Sequence, residues 1–227
     1  MRLATTFFLA LVCLRGDTLK EILDRMDTDA AQFRGAIAQL TRIEYSAVLK
    51  EKTEEKAVLT VVKGKKGISA LLDFTSPDVR DVLFRDGQVQ EYLPKLNQIQ
   101  EYDLGKDSSM VNQFVTLGFG ASGKDLQKNY KIDEGGTEVL KIAGHDVKVT
   151  KLNLVPKSAE ALEYMKKIEF WIPEGKSYAV QLKIYQPKSG DTNTAIYTSV
   201  QINPPKLNEH PLELKAPKSA KRVKINK

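Results

Sequence analysis

Two histidines, one cysteine and a scatter of paired carboxylates are the residues of this 227-residue chain with the chemistry to act on a substrate. His145 stands in a Gly-His-Asp turn and His210 directly precedes Pro211, settings that turn an imidazole toward solvent. Neither has a second histidine or a cysteine at ligand spacing, so no zinc site is expected. Glu54 and Glu55 are adjacent acids in what reads as a turn, where a solvated cluster is the default. There is no G-x-S-x-G elbow, no P-loop and no H-E-x-x-H helix. No catalytic residue, cofactor or metal is expected. The one route left to an enzyme is carboxylates gathered by folding at the mouth of a cleft.

The ends of the chain say where it works. "MRLATTFFLALVCLRGD" opens with a basic residue, Arg2, and runs apolar from Leu3 to Leu14. A bilayer span needs about 20 apolar residues, so this run has the length of a signal-peptide core instead. Residues 1–16 are read as a cleaved signal and 17–227 as one domain exported to the periplasm. Val12 before Cys13 does not suit a lipidation site, so no lipid anchor is expected. Once the signal is gone the chain holds no cysteine, which fits an oxidising compartment and excludes thiol chemistry. The formal charge of +6 becomes +4 when Arg2 and Arg15 leave. Much of that excess sits in the tail 215–227, "KAPKSAKRVKINK", which reads as a solvated basic end or a weak hold on an anionic membrane or partner. Nucleic acid is not expected, because no aromatic-basic platform accompanies the tail.

The elements follow from periodicity. Leu19, Ile22, Leu23 and Met26 repeat at helical spacing behind the caps Asp17 or Thr18. The period then becomes two: "RIEYSAVLKE" alternates through Ile43, Tyr45, Ala47 and Leu49, and "KAVLTVVKG" and "GISALLDFTSP" continue as strands. Asp107 or Ser108 caps a second helix carrying Met110, Val111, Phe114 and Leu117 on one face, ended by Gly118 and Gly120. A short helix is expected around Lys124 to Asn129, and a helical turn within "VPKSAEALEYMK". Strands resume from "EVLKIAG" to "TAIYTSVQIN". The total is about eleven strands on short turns, an α+β, mostly β chain. An antiparallel sheet of that length curls rather than lying flat and leaves one concave apolar side, with the helices of Leu19–Met26 and Met110–Leu117 as its candidate covers.

The stretch "DGQVQEYLPKLNQIQEY", Asp86 to Tyr102, predicts a hairpin that is half apolar on both faces, with Tyr92 and Ile99 drawn to opposite sides. Within "FTSPDVRDVLFRDGQVQEYLPKLNQIQEYDL" the order Phe74, Pro77, Asp86-Gly87, Tyr92, Pro94, Asn97-Gln98, Tyr102 resembles the LolA-like periplasmic lipoprotein carriers and outer-membrane lipoprotein-sorting proteins. The late "IYTSVQIN…PLELKAPKSAKRV" adds to the likeness.

That resemblance implies a curved, unclosed antiparallel β-barrel with a helical lid over a hydrophobic cavity that shields acyl chains, with no enzymatic step. Its implied partners are lipoprotein acyl chains or lipid, an inner-membrane release complex and an outer-membrane acceptor, met by a monomer. The cavity wall and lid candidates are Leu19, Ile22, Leu23, Met26, Tyr45, Leu49, Ile68, Leu72, Phe74, Tyr92, Met110, Val111, Phe114 and Leu117. Where the family places a latch Arg-Pro, this chain has Lys66-Gly67, and lysine lacks the planar fork of arginine. An alternative on the same scaffold is a regulator that senses lipid or mislocalised lipoprotein, although such regulators carry a further C-terminal domain not expected here. Each methylene kept from water is worth about 0.8 kcal/mol. Acyl chains totalling roughly 40 methylenes therefore need an enclosed apolar cavity rather than a surface patch.

Overall fold

The computed structural model describes residues 16–65, 67–105, 117–205, 207 and 212–225. The first helix, α1 (Leu19–Gln32), starts where the sequence places it. The Thr18 side chain accepts from the Glu21 backbone while the Glu21 carboxylate accepts from the Thr18 backbone, a reciprocal capping box. Ile22, Leu23 and Met26 fall on its buried face.

Twelve strands follow: β1 (Gly35–Ser46), β2 (Glu51–Gly64), β3 (Gly67–Ser76), β4 (Arg80–Arg85), β5 (Gln88–Leu93), β6 (Gln98–Asp103), β7 (Tyr130–Ile142), β8 (His145–Pro156), β9 (Lys167–Pro173), β10 (Gln181–Tyr185), β11 (Thr192–Ile202) and β12 (Lys221–Ile225). Among the described residues two short helices with both ends described interrupt them, α2 (Gly123–Asn129) and α3 (Ala159–Tyr164), each capped by a serine. The strands form one curved sheet in the order β12-β6-β5-β4-β3-β2-β1-β11-β10-β9-β8-β7. Its two edges, β12 and β7, do not pair, so the barrel stays open.

Three expectations change. β1 begins at Gly35 and ends at Ser46, and residues 47–50 are a turn closed by Lys50 at φ 56°. Leu49 therefore sits on a hairpin tip, 67% exposed, and not on a strand face. The alternation in "RIEYSAVLKE" ran on through the turn because Val48 and Leu49 are apolar without being core. Second, the basic tail is ordered in part: β12 pairs in parallel with β6, from Lys221 opposite Gln98 to Ile225 opposite Tyr102. Among the described residues it is the one parallel pair in an otherwise antiparallel sheet. Third, Tyr92 lies directly opposite Ile99 in the β5–β6 register, so the two share one face.

Side-chain alternation divides the sheet into an inner and an outer surface. The inner one holds the main core, in which Ile22, Leu23 and Met26 of α1 meet β1–β3 and β8–β11. Ala36, Ala38, Ala57 and Ala70 are nearly fully buried there, and their small side chains give the helix room to approach. The outer surface carries two satellite clusters, one around Val149 and Trp171, the other joining Leu71 and Leu83 to Leu212. Leu212 begins a strap that crosses the outer face before β12. Arg85 donates to its carbonyl, and the Lys215 amide donates to Asp81 Oδ2 at 2.5 Å.

Because the strands alternate in direction, the connections collect at two ends. At the lower end α1 closes the barrel. Arg25 Nε donates to the Lys176 carbonyl at 2.9 Å, and Asp17 Oδ2 accepts from Arg25 at 2.5 Å and from the Gly175 amide at 2.9 Å. Asn203 Oδ1 takes the amides of Arg34 and Gly35 at 2.7 and 3.2 Å, while its Nδ2 donates to the Gln32 carbonyl at 3.0 Å. The upper end carries α3 and the C-terminal end of α2, where the Lys157 amide donates to the Asn129 carbonyl at 2.9 Å.

Candidate functional site

An apolar cleft of about 440 Å³ opens toward that upper end. Its floor is the inner surface of three late strands: Ile168 of β9, Leu182 and Ile184 of β10, Ala195 and Tyr197 of β11. Leu117 and the end of α3, Glu163 and Tyr164, form its lip. The volume falls in the range of small-ligand pockets, ~300–1,000 Å³.

Glycines fix the wall behind the cleft. Phe119 meets Tyr197 edge-on with centroids 4.9 Å apart. A Cβ on Gly118 would stand 3.1 Å from the Tyr197 hydroxyl, and one on Gly123 would stand 2.4 Å from the Leu23 carbonyl. The run Leu117–Gly123 can therefore lie against both β11 and α1. Complete burial pushes the Tyr197 phenol far above its ordinary range, so it stays neutral.

Beside the apolar wall the same inner surface turns ionic. Glu44 and Arg42 of β1, Glu55 of β2, Arg80 of β4 and Glu91 of β5 alternate in sign across the strands. Arg42 pairs with Glu44 and, at 2.7 Å, with Glu55; Arg80 pairs with Glu55 at 2.8 Å and with Glu91 at 3.0 Å. The Arg80 guanidinium also lies 3.8 Å over the Phe74 ring. Burial raises the Glu55 carboxyl, but the hydrogen bonds and charge of Arg80 and Arg42 outweigh it and hold the group below the usual range. Asn193 Nδ2 donates to Glu44 at 3.3 Å, which ties this row to the cleft, since Asn193 lines both. Glu55 is thus a strand residue held between two arginines, not the turn acid the sequence suggested. Two walls of opposite character meet in one hollow.

The expected residues divide by position. Ile22, Leu23 and Met26 are core on the inner surface with Leu19 half-buried beside them; Ile68 and Phe74 are buried there and Leu72 partly so. Leu117 lines the cleft. Tyr45 and Tyr92 do not face the hollow: Tyr92 is paired with Asp81 and Ile99 on the outer surface, and Tyr45 follows the inward Glu44 by one residue. Lys66, Met110, Val111 and Phe114 lie outside the described residues, as does His210. His145 is an exposed first residue of β8. Sequence reasoning missed all five floor residues, Ile168, Leu182, Ile184, Ala195 and Tyr197. Their signal was present, in the alternation Leu182-Ile184 and Ala195-Tyr197. Among the described residues no group of histidine, cysteine, aspartate or glutamate is placed to hold a metal, and no helix is long and apolar enough to cross a membrane.

No family model and no curated protein matches the chain. Solved structures similar to it include the Mycobacterium tuberculosis lipoprotein LppX, at 12% identity over 81% of this chain and 96% of that one, TM-score 0.48. A conserved uncharacterised protein of Thermus thermophilus is 12% identical over 92% of this chain and 100% of its own, TM-score 0.49. A LolA superfamily protein of Nitrosomonas europaea is 11% identical over 83% and 94%, TM-score 0.36. These are likenesses of fold alone.

Proposed function

We propose that this chain is an exported, non-enzymatic carrier that shields an acyl chain of a lipid or lipoprotein in the inner hollow during transfer toward the outer membrane. The observation that supports the reading is the apolar cleft of β9–β11, open at the upper end and bordered by an ionic row. An amphiphile has the same two-part character. Its hydrocarbon gains about 0.8 kcal/mol per buried methylene against Ile168, Leu182 and Ile184, while its polar end meets Arg42, Glu44 and Arg80. Displacement of α1 from the inner surface would extend the apolar wall over Ala36, Leu40 and Val61 for a longer chain.

Lipid extracted from the protein purified out of the periplasm and identified by mass spectrometry tests the reading. A bound acyl species is expected in the unaltered chain. It should be depleted in Ala195→Trp, whose indole fills the cleft. Protein that comes out lipid-free, and that takes up no fluorescent fatty acid, contradicts the proposal.

A further inference from the structure

The inner face of the sheet changes character at one level across three neighbouring strands. Along β10 it reads Leu182, Ile184 and then Gln186; along β11, in the opposite direction, it reads Tyr197, Ala195 and then Asn193. The register sets Leu182 opposite Ala195 and Ile184 opposite Asn193. On the other side of β11, Leu40 of β1 stands opposite Tyr197 and Glu44 opposite Asn193. Apolar therefore gives way to polar on β1, β11 and β10 together, within about 13 Å of strand rise from Tyr197 to Asn193.

Past that boundary lies a second hollow of about 340 Å³, at the β10–β11 turn. Glu44, Ser46, Gln186, Ser189, Asp191 and Asn193 line it. Gln186 and Asn193 also line the apolar cleft, so the two hollows share a wall. A greasy compartment and a polar one, end to end along the same strands, match a ligand with one hydrocarbon chain and one head.

The chemistry of the head follows from what the polar hollow offers. Three carboxylates line the two hollows, Glu44, Asp191 and Glu163, and among the described residues no lysine or arginine does. Arg42, the neighbouring cation, is engaged by Glu44 and, at 2.7 Å, by Glu55, while Lys188 is exposed on the turn outside the lining. A carboxylate or phosphate head would meet like charge there. The acids are themselves partnered: Glu44 accepts from Asn193 Nδ2 at 3.3 Å as well as from Arg42, and Asp191 Oδ1 accepts from the Ala47 amide at 2.7 Å. What the hollow offers is a mixture of carboxylate and carboxamide acceptors with amide and hydroxyl donors. An ammonium donates only and leaves those donors unanswered, whereas a hydroxyl both donates and accepts.

We propose that the amphiphile taken here is single-chained with an uncharged, hydroxyl-bearing head, as in a monoacylglycerol or an alkyl glycoside. Its tail lies on Leu182, Ile184 and Ala195, and its head sits between Gln186, Asp191 and Asn193. This rests on the carrier reading and names the head of its cargo.

The test loads the protein with a neutral naphthylamine dye that fluoresces in apolar surroundings and displaces it with competitors of one chain length, each below its micelle concentration. Monolauroylglycerol and dodecyl glucoside carry the hydroxyl heads, lauric acid and lauroyl lysophosphatidylglycerol the anionic ones, and lauroylcholine the ammonium. The first two are expected to displace the dye at concentrations at least about tenfold lower than the other three, and the better of the two identifies the polyol. In Gln186→Leu with Asn193→Leu the preference shrinks to less than about threefold with circular dichroism unchanged. Gln186→Leu alone, at an exposed position, reduces it in part. Equal displacement by all five competitors, or stronger displacement by an anion or by lauroylcholine, overturns the head assignment and leaves the carrier reading standing. A protein that takes up no dye and binds none of the five overturns both.

Discussion

Arg80 Nη1 stands 2.8 Å from Glu55 Oε1 across the inner surface of the sheet. Side-chain exposures of 15% and 13% leave this pair little water to compete with it. Because Arg42 and Arg80 both lean on Glu55, removal of that one carboxylate leaves two guanidinium groups each short of an acceptor.

Glu55→Gln is therefore expected to cost about 1–3 kcal/mol, read by urea denaturation at neutral pH. The pH profile carries a second signature. Glu55 is held below the ordinary carboxyl range in the folded state, so its contribution is present above the unfolded value of about 4.3 and lost as pH falls through the depressed folded value. The unaltered chain loses stability through that acid window. The variant loses less, because the group that takes up the proton is gone. A variant as stable as the parent, with the same acid slope, contradicts the central place given to Glu55.

On the other face, Asp81 and Asp73 are cross-strand neighbours of like charge, and Asp81 is 3% exposed. Burial, then the nearby Asp73, raise the Asp81 carboxyl despite the Lys215 amide and charge, which act the other way. The sign is opposite to that of Glu55. A raised folded value means a contribution complete below the unfolded value of about 3.9 and lost as pH rises through the folded one. Asp81→Asn keeps an oxygen for the Lys215 amide and removes the repulsion. It should raise stability near neutral pH by up to about 1 kcal/mol and flatten the profile above about pH 4, as thermal unfolding across that range would record. Loss of stability at neutral pH contradicts this account.

How much of this was legible depended on whether a signal was local. The capping box of α1, the Asp86-Gly87 turn and the Pro94–Asn97 turn are all written within a few residues, and each stands where the sequence put it. The likeness of "FTSPDVRDVLFRDG" to a curled barrel came from the same local order. Which face a strand turned inward was not local. Tyr92 looked like cavity wall because it is aromatic and mid-strand. It faces outward with its partners Asp81 and Ile99, on the surface where Leu212, more than a hundred residues later, covers Leu71 and Leu83, a cover that periodicity cannot show. The basic tail hid β12 for the same reason: Lys221–Ile225 has little strand propensity and is held by pairing with β6, with Arg222 against Glu101 at 2.5 Å. The ionic row was invisible because its members sit on four strands.

The last prediction concerns how α1 is held. A Cβ on Gly123 would lie 2.4 Å from the Leu23 carbonyl oxygen and 2.8 Å from its carbon, both backbone atoms that no rotamer change can move. The backbone at Gly123 is ordinary helix, and alanine there gains at most about 1 kcal/mol in helix propensity. Overpacking against a rigid neighbour costs about 1–3 kcal/mol, so the steric term wins and Gly123→Ala is destabilising. The strain falls on one contact. α1 must withdraw, the Lys124 amide loses its 3.0 Å bond to Asp27 Oδ1, and the core around Leu152 and Phe170 is not addressed directly. Hydrogen exchange should therefore quicken in α1 and α2 well before it quickens in β8 and β9. Gly144→Ala is the control. Gly144 has φ +84° and nothing within 4 Å, so its alanine meets only the left-handed backbone cost, about 1 kcal/mol, with no effect confined to α1. If Gly123→Ala leaves α1 exchange unchanged, or speeds every strand alike, then α1 is not a separately released element. The extension of the hollow by its departure then fails with it.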